Sequence, residues 1–153
     1  LFPAIAFMII FTLWFGGYGA IAAYVGTLVG SGLLVSETLA NNLPLALLWA
    51  VNGLLQVAIP LVAVKRLDVD IAIGNRRDLA IVILFAVVLN NLAGAVWAGI
   101  SMGLIDGLHA IGSVAVPWFA GNVIVCLVLV PAALWLFTPR VQGSRIFVKN
   151  YWD

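Results

Sequence analysis

Charge is scarce in this chain. Only 8% of its 153 residues are Asp, Glu, Lys or Arg, against roughly a quarter in a soluble domain. So few charged groups cannot cover a water-facing surface. Cysteine is scarcer still. The single Cys126 excludes an intrachain disulfide and a cysteine metal cluster, and its apolar surroundings read as packing rather than chemistry. There is one histidine, and no hydrophobic segment holds a carboxylate or a basic residue in its middle. A proton relay, a voltage sensor or an ion-coupled pump would use such a group. No serine sits in a nucleophile-elbow sequence. No catalytic constellation is visible, so the expectation is a protein that is not an enzyme and has no cofactor or metal. A net charge of +1 gives no reason to expect a nucleic-acid partner.

Hydrophobic residues make up 65% of the chain. Several apolar runs approach or exceed the roughly 20 residues that span a bilayer. Backbone groups in lipid must pair internally, which leaves helices or a closed barrel. Barrel strands alternate polar and apolar residues, and runs such as Ala80 to Leu89 do not. The fold class expected is therefore an all-α, polytopic transmembrane bundle, read as one domain over residues 1–153, with the lipid bilayer as its first partner.

Five hydrophobic segments can be placed, at about 2–15, 18–34, 44–64, 79–104 and 114–137, with a tail over 138–153. Gly16-Gly17 ends or kinks the first segment. Pro44 suits the first turn of the third, and Thr138-Pro139 is expected to stop the fifth. Polar loops are expected at 35–43 and 105–113. The seven Lys and Arg residues fall in only two places. Lys65, Arg66, Arg76 and Arg77 share the 65–78 loop, and Arg140, Arg145 and Lys149 share the tail. The positive-inside rule puts both in the cytoplasm of a multi-pass cell-membrane protein. Tyr151 and Trp152 would anchor the tail at the interface. The opening Leu in place of Met suggests upstream residues, and one further helix there would make six spans.

The spans carry uncharged amides. Asn52 and Gln56 are four apart and share a helix face. Asn90 and Asn91 lie near the middle of the fourth segment, and Asn122 in the outer part of the fifth. A buried amide in lipid needs partners. Two readings stand: hydrogen bonds between helices as structural glue, or a pocket for a small polar or heteroaromatic ligand. Trp49, Trp97 and Trp118 fit an interfacial aromatic belt or a stacking site. Asp106 and His109 fit solvated loop residues or a lid.

Small residues form a second pattern. Gly26 and Gly30 make a GxxxG in the second segment, and Gly99 and Gly103 continue the Asn91–Ala95 spacing of the fourth. Such faces bring helices close, within the bundle or against a partner subunit. Replacing Gly26 by leucine is accordingly expected to disturb packing.

Three stretches carry a family resemblance: "FPAIAFMIIFTLWFGGYGAIAAYVGTLVGSGL", "NNLPLALLWAVNGLLQ" and "VPWFAGNVIVCLVLVPAALWLFTP". Together they resemble the substrate-binding S components of energy-coupling-factor (ECF) transporters and MASE1-type integral membrane sensor domains. Gly121-Asn122 looks like the entry into the last S-component helix, with Ala120 where that pattern has proline. Trp118, Gly121 and Pro131 look like the final sensor-domain helix. The resemblance implies a six-helix bundle with both ends in the cytoplasm, a vitamin-like ligand near the outer face, and ATP hydrolysis left to scaffold and ATPase partner subunits. By position, Trp97, Trp118 and Asn122 match that ligand region; Asn90, Asn52 and Gln56 join them as amide candidates. The short stretch after the last segment makes the importer the preferred expectation, whereas the sensor reading expects more sequence beyond Asp153. A structural subunit without a ligand is the third alternative.

Overall fold

The structure is a computed structural model that describes residues 2–148. Among these residues it is all helical, with no strand. Helix α1 runs Ala4–Phe15. Helix α2 runs Gly17–Gly26 and continues as a π-helical stretch, Thr27–Leu33. Helix α3 is the single turn Glu37–Ala40, and α4 is Leu43–Arg66. Helix α5, Arg76–Val82, passes through a π-helical stretch, Ile83–Leu89, into α6, Asn90–Asp106. Helix α7 is His109–Gln142.

Among the described residues, three helices are long and apolar enough to cross a membrane: Leu43–Arg66, Arg76–Asp106 and Ile111–Gln142. This is fewer than the five segments expected. The first segment yields only the 12 residues of α1, about 18 Å at 1.5 Å per residue, because Gly16, at φ 59°, turns the chain. The second yields α2 and its π stretch, 10 and 7 residues of continuous helix, short of the roughly 20 that span a bilayer.

The loops are shorter than their polarity suggests. The 35–43 stretch contains α3, whose Ser36 Oγ accepts a hydrogen bond from the Leu39 N–H at 3.3 Å. Asn42 Oδ1 accepts one from Leu45 N–H and caps α4, with Pro44 in its first turn. The expected 105–113 loop reduces to Gly107 and Leu108, with Gly107 at φ 87°. Helix α7 does not stop at Thr138-Pro139. It carries Pro117, Pro131 and Pro139 inside it and ends at Gln142, so the 138–153 tail begins as helix. Helices in an apolar setting tolerate proline where neighbours compensate for the lost bond. Lys149, Tyr151 and Trp152 lie outside the described residues.

One end of the bundle is tied by a buried relay. Trp14 Nε1, at the end of α1, donates to Thr138 Oγ1 on α7 at 3.0 Å. Thr138 Oγ1 donates in turn to the Ile71 carbonyl in the 65–78 loop at 3.5 Å. The Val148 N–H donates to the Trp14 carbonyl at 3.1 Å. The Gly16-Gly17 turn, the basic loop and the end of α7 therefore share one end, as the charge pattern requires. Thr138→Val keeps the shape and leaves the indole N–H buried and unpaired. It should destabilise the protein by about 1–3 kcal/mol, measured as a fall in the melting temperature of the detergent-purified protein.

The same end shows a Schellman-type close. The Val69 N–H donates to the Val64 carbonyl at 3.0 Å, and Asp68 sits in the left-handed region at φ 50°. Glycine is the usual residue there. Asp68→Gly relieves the left-handed strain against the entropic cost of glycine and should stabilise by up to about 1 kcal/mol, seen as a higher melting temperature.

Candidate functional site

Two apolar clusters fill the core, one toward each end. The larger includes Ile9, Leu13, Val57, Val87, Val125 and Leu134. The smaller includes Leu39, Trp49 and Ala98, with Trp118 packed on it. On each long helix the polar residues fall between the two. The order on α4 is Trp49, Asn52, Gln56, Val57; into α6 it is Val87, Asn90, Asn91, Ala98; on α7 it is Trp118, Asn122, Val125. Five amides thus form one buried layer across three helices, none more than 4% exposed. Asn90 and Asn91 are successive residues, about 100° apart on a helix. Both are buried because α6 packs against α4 and α7 together.

The layer is only partly satisfied. Gln56 Nε2 donates to Asn91 Oδ1 at 3.0 Å, joining α4 to α6, and Asn91 Nδ2 donates to the Val87 carbonyl at 2.8 Å. Gly94 makes room for this bridge: a Cβ there would lie 2.5 Å from Gln56 Cδ. Asn52 and Asn90 differ. The Oδ1 and Nδ2 atoms of both are buried without a hydrogen-bond partner. Each such atom is penalised by about 1–3 kcal/mol, and buried groups of this kind call for an occupant.

The aromatic side of the layer is partly free. Trp49 and Trp118 meet edge to face, with centroids 5.4 Å apart and planes at 89°. Trp49 Nε1 donates to Ser31 Oγ in the π stretch after α2. Trp118 Nε1 is buried and unpaired, as is Ser101 Oγ on α6. Trp97 does not join this group; its Nε1 donates to the Leu48 carbonyl at 3.0 Å and pins α6 to α4. Asp106 and His109 are exposed at the α6–α7 corner, away from the layer.

The glycines divide in a way that the GxxxG spacing did not anticipate. Gly99 and Gly103 pack inside the bundle, where added Cβ atoms would meet the Ile111 carbonyl at 3.0 Å and Ile111 Cγ1 at 2.9 Å. Gly26 and Gly30 do not. A Cβ at either meets nothing within 4 Å, so no neighbour inside the bundle requires glycine at these two positions. The close crossings use Gly19, Gly53 and Gly94 instead.

Chemically, the layer offers neutral donors and acceptors side by side, with no acid or base among them. Such groups match the hydrogen-bonding edge of an uncharged polar molecule. Among the described residues no group of three or more His, Cys, Asp or Glu could hold a metal ion. No family model, curated protein or solved structure matches this chain.

Proposed function

We propose that this chain is a membrane-embedded, non-catalytic subunit that binds a small polar or heteroaromatic molecule between α4, α6 and α7, as an S component does for an ECF-type micronutrient importer. In this reading the basic end faces the cytoplasm, and scaffold and ATPase subunits drive transport. The observation that carries it is the set of unpaired amide atoms on Asn52 and Asn90, buried between two apolar clusters. A bound amide, lactam or similar edge would satisfy a donor and an acceptor on each. The Trp118 indole beside them adds a donor and a ring face.

A structural subunit is the second reading, and the Gln56–Asn91 bridge favours it. That bridge accounts for two of the five amides and leaves the others without a role.

Asn122→Leu tests the site. Small molecules co-purifying with the variant and the native protein are extracted and quantified by mass spectrometry. The expected result is a loss of about tenfold or more, equal to about 1.4 kcal/mol, at an unchanged melting temperature. Equal content in the two would remove Asn122 from the site.

A further inference from the structure

The α1–α2 face carries a feature that the amide layer leaves unused. Two cavities open on it, of about 520 and 380 Å³. Both are lined by Phe11, Gly19 and Ala22, so they form one continuous groove. Its small floor continues to Gly26, and its rim carries the exposed rings of Phe7, Phe11 and Tyr18. The phenyl rings of Phe7, Phe11 and Phe15 follow one another along α1 at centroid spacings of 6.2 and 6.0 Å. At the basic end the groove is closed by Arg145, Ile146 and Phe147, held in place by the Val148–Trp14 backbone bond. Arg145 is exposed and makes no ion pair among the described residues.

We propose that this groove holds one acyl chain of an anionic phospholipid, with its phosphate at Arg145. Three observations favour a lipid over a packed helix. The projecting rings leave a slot rather than the smooth small-residue face that helix pairs use. Arg145, exposed and without an ion pair among the described residues, sits at the end of the slot, where a headgroup lies. The slot is also lined, apart from Arg145, mainly by apolar and small residues between Phe7 and Ala22, which suits an acyl chain.

Native mass spectrometry of the full chain, with phosphatidylglycerol or phosphatidylcholine of the same acyl chains added, tests this. The native protein should retain one phosphatidylglycerol at collision energies that strip phosphatidylcholine, with a preference of about fivefold or more. Arg145→Gln should abolish the preference, and Arg145→Lys should keep most of it. Ala22→Phe, at an exposed position in the floor, should remove the adduct at an unchanged melting temperature. Arg76→Gln, on the other loop, should change nothing. Equal retention of both lipids, an equal effect of Arg76→Gln, or a dimer that excludes lipid would each overturn the proposal.

Discussion

Gly19→Ala is expected to destabilise the protein severely, although it adds one methyl group to a helix. A Cβ at Gly19 would fall 2.5 Å from Thr12 Cα, 2.6 Å from Thr12 N and 2.7 Å from Phe11 C. All three are backbone atoms of α1, so no side chain can turn aside and the two helices must separate. Overpacking a core typically costs about 1–3 kcal/mol and sometimes more. The gain in helix propensity, about 0.5–1 kcal/mol, is smaller. With Thr12, Ile9 and Leu13 buried behind the crossing, we expect a loss of about 3 kcal/mol or failure to accumulate as folded protein. Gly26→Leu, seven residues along the same helix, should change stability by less than about 0.5 kcal/mol, as surface substitutions do. Melting temperatures of the two variants check the pair. Equal losses in both would mean that α2 packs differently.

Asn52→Leu and Gln56→Leu should move stability in opposite directions, though they lie one helical turn apart. Asn52 has no protein partner for either amide atom. A leucine keeps the branched shape and removes two buried, unpaired polar atoms, so the empty protein should gain about 1–3 kcal/mol. The same substitution should abolish retention of the co-purifying small molecule. Gln56 is bonded to Asn91, and Gln56→Leu leaves Asn91 Oδ1 short of its donor, at a loss of about 0.6–2 kcal/mol. Thermal melts of ligand-stripped protein, read beside ligand content, separate the effects. A loss of stability in Asn52→Leu would show that its amide is paired in the protein and that the layer is structural.

Much of this was legible in the residues. Amides in otherwise apolar runs marked Asn52, Gln56, Asn90 and Asn122 because a polar group in such a run has to face the interior. The four-residue step of Gly99 and Gly103 revealed a packed face because that contact lies between α6 and the next helix in the chain. What was not legible depends on where distant helices cross. Gly19 and Gly53 look no different in sequence from Gly26 and Gly30, and only the path of α1 and α4 makes the first pair indispensable. Thr138 reads as the end of a helix because Pro139 follows it; its bond to Trp14 spans 124 positions and leaves no local trace. The π stretches, Thr27–Leu33 and Ile83–Leu89, change helical phase without a proline or a charge to announce it. Apolar length alone did not show the break at Gly16, whose φ of 59° separates α1 from α2.

The central proposal is that the buried amide layer binds a small molecule of its own. Native mass spectrometry of the protein purified in mild detergent, with co-purifying small molecules and subunits identified, tests it most directly. The account predicts one uncharged polar or heteroaromatic molecule per chain, lost in Asn52→Leu and retained in Gly26→Leu. An empty chain, stable and embedded in an unrelated complex, would contradict it and leave the amides as structural glue.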